Sequence, residues 1–250
     1  GLIGNNISSS NAPDIHIRLA KIFQIPLEYL LFDLKDKEEN YFVVLLEELR
    51  VAGFKGVNIT FPFKEKVIKH VDNISKNSRT VGSANTLIFR KKITAQNTDY
   101  TGFLKTYNFH FGKNTPGTIL VLGAGGVSRA ISFGLASLGA EKIFLIDKDE
   151  IKANRLSKDL SILNVNCVLI KPDQIEKNLS SFGGIINCTP VGHYDFPGCP
   201  LGNLMPYKKQ WIFDAVYTPA KTNFIKKGEQ VGAKIISCLL YTSPSPRDRN

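Results

Sequence analysis

Apolar positions recur along the chain with two periods, and stretches of the two kinds alternate. GLIG, LEYLLFDL and GVNITF carry the short runs and two-residue alternation of strands. APDIHIRLAKIF and NYFVVLLEELRVAG instead place apolar residues at helical spacing, and Gly53 closes the second of them. KEKVIKHV predicts a further helix opening at Lys64, and ANTLIFRKKITAQNTD predicts a hairpin turned around Arg90–Lys92. Past the polar linker GKNTPGT the alternation restarts. TILVLG, KIFLID, NCVLIK, GIINCTP and WIFDAV read as strands, while VSRAISFGLASLG, ended by Gly139, and KANRLSKDL read as helices. The fold class expected is therefore α/β, with two α/β domains: a mainly parallel sheet with one antiparallel departure over residues 1–108, and a second parallel unit over 109–237.

The stretch CLLYTSPSPRDRN, residues 238–250, drops this rhythm and offers no face to bury. It resembles translated sequencing-adapter sequence, so a non-native or disordered tail is expected there, with the natural C-terminus lost. The chain starts at Gly1 rather than at Met, which leaves room for an upstream segment.

Composition narrows the class. A chain of 250 residues with 43% hydrophobic and 22% charged positions has the make-up of a soluble globular protein. No apolar run reaches membrane-spanning length, so no membrane partner is expected. Cys167, Cys188, Cys199 and Cys238 lack CxxC spacing, and His16, His70, His110 and His193 are scattered. Neither a metal site nor a disulfide framework is indicated, and a cytoplasmic setting is the simplest expectation. The net charge of +10 is spread through predicted helices with no basic run interleaved with aromatics. That argues against nucleic acid and suits a surface that attracts small anions. Either a monomer or a homodimer is compatible with these properties.

VLGAGGVSRA, residues 121–130, lies between a predicted strand and a predicted helix. Gly123 permits a tight turn, Ala124 continues it, and Gly125 lets backbone approach a pyrophosphate. Gly126 and the helix start then offer N–H groups to the anion, as in a Rossmann-type dinucleotide unit. The next strand ends in Asp147, whose carboxylate would accept hydrogen bonds from a ribose diol and repel a 2′-phosphate. Asp149 adds to that repulsion and Lys148 partly offsets it, so NAD is expected over NADP.

Three polar clusters stand at the ends of predicted strands in the first domain: Asn58/Thr60/Lys64, Asn85 in VGSANTL, and Asn97/Thr98/Asp99. Each has a local explanation, since Asn and Asp cap helices and make turns. Lys64 is harder to explain locally, because a lysine in a helix's first turn opposes the dipole at a cost of about 0.3–1 kcal/mol. Together, and followed by a dinucleotide loop, the clusters point to a ligand.

GNNISSSNAP, NITFPFKE, GSANTL, QNTDYTG, LGAGGVSRA, NCTPVG and DAVYTP occur in an order that resembles the shikimate/quinate dehydrogenase family, through to about Ile236. HYDFPGCPL with WIFDAVYTP is closer to its quinate/shikimate branch. The resemblance implies reversible hydride transfer between a nicotinamide and C3 of a hydroxylated cyclohexene carboxylate: shikimate, 3-dehydroshikimate or quinate. By match to NITFPFK and NTD, Lys64 would be the catalytic lysine and Asp99 its partner. Ser10 and Thr60 would bind the substrate carboxylate with Tyr217 beside it, and Asn58, Asn85 and Asp99 would hold ring hydroxyls. Thr189 and Val191 would lie near the nicotinamide. Two departures stand out. Ala12 replaces a hydroxyl residue of the carboxylate loop, and nothing after Ser237 matches the family's C-terminal helices with their substrate-binding Gln. They leave open a non-catalytic dinucleotide-binding relative, or a dehydrogenase of another cyclic acid such as an aminoshikimate.

Overall fold

The computed structural model describes residues 1–38 and 40–237. The tail expected at 238–250 lies outside the described residues. Two compact units are found, the first running from Gly1 to Thr98 and the second beginning at Asp99.

In the first unit the elements are β1 (Leu2–Gly4), α1 (Ala12–Ile22), β2 (Leu31–Asp33), α2 (Tyr41–Val51) and β3 (Gly56–Ile59), followed by a 3-10 helix at Lys66–His70. β4 (Asn73–Ile74), α3 (Lys76–Val81), β5 (Thr86–Phe89) and β6 (Ile93–Gln96) complete it. The sheet order is β2-β1-β3-β5-β6-β4. β1 runs parallel to β2 and β3, and β4 parallel to β6; β5 is antiparallel to both its neighbours, which is the expected hairpin. Along β3, Val57 and Ile59 are buried while Asn58 between them is not fully so, the two-faced pattern read from the sequence. α2 lays Phe42, Leu45, Leu46 and Leu49, one helical stripe, against Ile3, Val57, Ile59 and Leu87.

The segment at Lys64 corrects one expectation. No α-helix opens there: residues 61–65 form turns and the 3-10 helix begins only at Lys66. Lys64 therefore opposes no α-helix dipole. Phe63 explains the turn, because its ring is buried and stacks on Phe42 with centroids 4.5 Å apart and planes 7° from parallel. The Val67 N–H donates to the Phe63 carbonyl at 2.9 Å, one isolated helical turn that continues only as the 3-10 helix.

The second unit contains α4 (Thr98–Phe111), β7 (Thr118–Leu122), α5 (Gly126–Ser137), β8 (Lys142–Ile146), α6 (Glu150–Ser161), β9 (Cys167–Leu169) and α7 (Asp173–Asn178). β10 (Gly184–Asn187), β11 (Trp211–Asp214), α8 (Asn223–Val231) and β12 (Lys234–Ser237) follow. All its strand pairings are parallel, in the order β12-β11-β10-β7-β8-β9. The chain starts this sheet in the middle, winds outward one way, and returns to wind the other way. The topological switch point falls between β7 and β10, where such sheets take ligands.

α4 belongs to the second unit, so the units divide at Thr98/Asp99 rather than at the 108/109 linker. The reason is aromatic packing. Phe103 meets Phe213 edge-on at 5.5 Å, Tyr107 meets Trp211 at 5.7 Å, and the Tyr100 hydroxyl lies 2.8 Å from that of Ser137.

Candidate functional site

In the first unit the predicted polar residues converge on the ends of β3, β5 and β6. The Asn58 side-chain oxygen accepts from the Tyr29 hydroxyl at 2.8 Å, and its amide donates to Thr86 Oγ1 at 3.2 Å and to the Asn85 carbonyl at 3.4 Å. Buried Asn85 turns its own side-chain oxygen to Thr98, accepting the backbone N–H at 2.8 Å and the hydroxyl at 3.0 Å. Asn97 is also buried and donates to the carbonyl and hydroxyl of Ser83, both at 3.1 Å. Thr60 follows β3, its N–H donating to the Ile3 carbonyl at 2.9 Å. The Lys64 carbonyl accepts the N–H of Ala84 at 2.8 Å, one residue before Asn85. Asp99 is buried in the first turn of α4, directly after Thr98.

Ser10 sits in the loop from β1 to α1, where its hydroxyl accepts the Ala12 N–H at 3.2 Å. A hydroxyl used in this way keeps its O–H to donate. The loop hangs on Asp33, whose two oxygens accept the N–H groups of Asn6 at 3.0 Å and Ile7 at 2.9 Å. Slight burial pushes the Asp33 carboxyl up, but the N–H groups of Lys35, Ile7 and Asn6 outweigh it and hold it below the usual range.

In the second unit the glycine loop bridges the switch point. Gly123 has φ +101°, and a Cβ there would stand 2.9 Å from the carbonyl oxygen of Cys188, so only glycine fits. At Gly125 the situation is the reverse: a Cβ would project into open space, with nothing within 4 Å. Gly125 is the N-cap of α5, so among the described residues no side chain caps that helix, and Gly126 opens it. An uncapped helix start beneath open backbone is the cradle a pyrophosphate needs. Asp147 completes it. Its carboxylate accepts the Ala124 N–H at 2.5 Å and the Asp149 N–H at 2.8 Å, tying the loop to the turn after β8. A carboxylate has about four acceptor sites, so two such bonds leave room for a ribose diol. Asp149 caps α6 through the Lys152 N–H at 3.1 Å; that bond and the Lys152 ammonium hold its carboxyl below the ordinary range. These residues fit a dinucleotide.

Thr189 and Val191 form the turn after β10. The Asn187 side-chain oxygen accepts the Thr189 N–H at 3.0 Å and its hydroxyl at 2.6 Å, while the Asn187 amide donates to the Val191 carbonyl at 3.0 Å. Tyr217 lies beyond β11 and is 37% exposed.

Residues 2–87 match the model of the shikimate dehydrogenase substrate binding domain. A relative from Clostridium botulinum (strain Loch Maree / Type A3), named shikimate dehydrogenase (NADP(+)), is 31% identical over 240 residues, covering 95% of this chain and 89% of that protein. The chain belongs to the shikimate dehydrogenase family. Among solved structures, quinate dehydrogenase from Corynebacterium glutamicum in complex with NAD superposes with a TM-score of 0.83 at 26% identity, covering 94% of this chain and 86% of that one. Shikimate dehydrogenase from Aquifex aeolicus superposes at 0.82 with 29% identity, covering 96% and 85%. The expected family and the expected α/β class with a Rossmann-type unit are both borne out. The family is one of nicotinamide-dependent oxidoreductases acting on small molecules. Among the described residues no group of His, Cys, Asp and Glu could hold a metal ion, and no helix is long and apolar enough to cross a membrane.

Sequence reasoning overlooked four supporting residues. Tyr29 orients Asn58, Asp33 anchors the Ser10 loop, and Asn187 and Asp214 sit fully buried at the ends of β10 and β11. The last two had a signal: each is the single polar residue closing an otherwise apolar strand, GIIN and WIFD. Tyr29 and Asp33 had none, because each bonds a residue more than twenty positions away.

Proposed function

We propose that this chain catalyses the reversible reduction of 3-dehydroshikimate to shikimate, or the matching oxidation of quinate, with NAD as the preferred cofactor. Gly123, Ala124, Gly125, Gly126 and Asp147 hold the dinucleotide, with Thr189 and Val191 at its nicotinamide end. When bound, the nicotinamide ring supplies or accepts the hydride. The observation that carries the reading is the polar network Tyr29–Asn58–Thr86–Asn85–Thr98, which fixes neutral hydrogen-bonding groups at three strand ends. Such groups suit a polyhydroxylated ring, because a hydroxyl without a partner leaves a buried polar group unpaired.

Lys64 is the catalytic residue. As negative charge grows on the substrate's ketone oxygen, its ammonium stabilises that charge and delivers the proton. Asp99 orients the lysine and accepts from a ring hydroxyl, and Asn58 and Asn85 hold the ring. Thr60 and Ser10 bind the carboxylate, and Tyr217 is a further substrate-binding residue. Ala12 supplies only a backbone N–H, already given to Ser10, where a hydroxyl would add a bond to the charged group worth about 1.5–3 kcal/mol. Substrate binding is accordingly weaker than a two-hydroxyl loop would give, and a related cyclic acid is the second reading.

NAD is favoured because the Asp147 side chain would stand where a 2′-phosphate would lie, Asp149 is close to it, and Lys152 is already paired with Asp149 at 3.0 Å. The names of curated relatives carry NADP(+), whereas the Corynebacterium glutamicum structure holds NAD. Steady-state rates with 3-dehydroshikimate and each reduced cofactor test both halves. Faster turnover with NADH is expected; faster turnover with NADPH would overturn the cofactor preference, and no oxidation of either would overturn the activity.

A further inference from the structure

Asp214 is 1% exposed, and among the described residues no ion pair is formed by it. Burying a carboxylate without a counter-charge is costly unless hydrogen bonds satisfy it, so a residue of this kind calls for a reason. Three donors converge on it. Oδ1 accepts the Asn187 amide at 2.9 Å and the Val216 N–H at 3.0 Å, and Oδ2 accepts the Thr222 hydroxyl at 2.5 Å. Thr222 in turn caps α8 by accepting the Ile225 N–H at 3.2 Å. It also backs the cofactor turn: a Cβ at Gly192, whose φ is +111°, would stand 3.3 Å from the Thr222 side chain.

We infer that Asp214 is the positioning residue for the Thr189–Val191 turn, acting through the Asn187 side chain to hold that turn in the shape the nicotinamide end of the cofactor requires. This rests on the dehydrogenase reading above. The Thr189 N–H can only donate, so the Asn187 atom it meets must be the side-chain oxygen, and the atom facing Asp214 Oδ1 must be the NH2 group. The Asn187 oxygen is then turned to Thr189, where it accepts two bonds, and the second amide hydrogen reaches the Val191 carbonyl. Every hydrogen-bonding site of Asn187 is thereby used, at both ends of a three-residue turn. Val216 ties the same carboxylate to the segment that carries Tyr217, so one buried group sets two loops.

The test compares NADH with ADP-ribose, which lacks the nicotinamide ring, by fluorescence and calorimetric titration of wild type, Asp214→Ala, Asp214→Asn and Thr189→Val. Asp214→Asn keeps an Oδ1 acceptor for Asn187 and Val216, and its amide can donate to Thr222. The expected result is that Asp214→Ala and Thr189→Val weaken NADH by about tenfold while leaving ADP-ribose unchanged, the size of effect that losing one or two hydrogen bonds produces. Asp214→Asn should restore the wild-type ratio. Equal weakening of both ligands, or no change in either, would overturn the inference, and Thr189→Val decides the matter should Asp214→Ala not fold. Wild-type protein that binds ADP-ribose and NADH equally well, yet oxidises NADH with 3-dehydroshikimate, would overturn the positioning role alone; wild type that binds neither ligand would overturn the dehydrogenase reading and this inference with it.

Discussion

The side-chain oxygen of Asn85 accepts both the backbone N–H and the hydroxyl of Thr98, at 2.8 and 3.0 Å. The residue before Asn85 bonds the Lys64 carbonyl, and the residue after Thr98 is Asp99. A short path of main chain and hydrogen bonds thus ties the backbone of Lys64 to the backbone that leads into Asp99. Asn85→Leu removes the acceptor and leaves a Thr98 donor unpaired, which should cost about 1–3 kcal/mol. Urea denaturation measures it, and a variant as stable as wild type would show that the bond carries no weight.

Phe63 is the anchor of the Lys64 turn through its stack on Phe42. Phe63→Ala should lower stability by about 3–5 kcal/mol, the usual range for emptying a buried aromatic site. Turnover should fall as well, because the turn loses the side chain that pins it. A chemical denaturation curve with an assay on the folded fraction separates the two effects.

The two loop glycines should respond in opposite ways. Gly123→Ala forces a side chain into a left-handed backbone and against Cys188, so the protein should be destabilised. Gly125→Val meets open space at φ −78°, so the melting temperature should hardly move. Its branched side chain nevertheless fills the place where a pyrophosphate would approach backbone, and NADH binding should be lost. Thermal melts and NADH titrations on the two variants check this reversal.

Burial pushes the Asp214 carboxyl above its ordinary value of 3.8, against the pull of the Thr222, Val216 and Asn187 hydrogen bonds. The folded protein therefore keeps this proton at pH values where the unfolded chain has released it. Folded-state proton binding exceeds unfolded-state binding in that window, so this group's contribution to stability falls as pH rises from the ordinary value through the folded one. Asp214→Asn removes the dependence. Denaturant midpoints measured upward from about pH 4 should show wild type losing ground to the variant. A difference constant with pH would contradict the assignment.

Much of this was legible in the sequence. The strands of both sheets other than β4 and β12, the glycine loop and the Asn and Asp positions at strand ends follow from periodicity and local turn chemistry. Val67, Ile68 and Val71 have helical spacing, yet only a 3-10 helix starting at Lys66 forms there, beside a Phe63 ring held in the core against Phe42. β4 has two residues and, among the described residues, pairs only with β6, so no local pattern marks it. The glycine and proline of GKNTPGT are strong local punctuation, whereas α4 takes its place in the second unit from distant aromatic partners, Phe213 and Trp211. Asp147 was legible as an acid at the end of β8, but its bond to Ala124 spans 23 residues and needed three dimensions to appear.

The proposed chemistry needs a cation placed to meet charge on a substrate oxygen, and single-turnover oxidation of NADH by 3-dehydroshikimate measures that step directly. Lys64→Ala should slow it by about 10²- to 10⁴-fold, the range for loss of a proton-transferring group, while the Kd for shikimate changes only a few-fold. A Lys64→Ala protein that turns over at the wild-type rate would contradict the account at its centre.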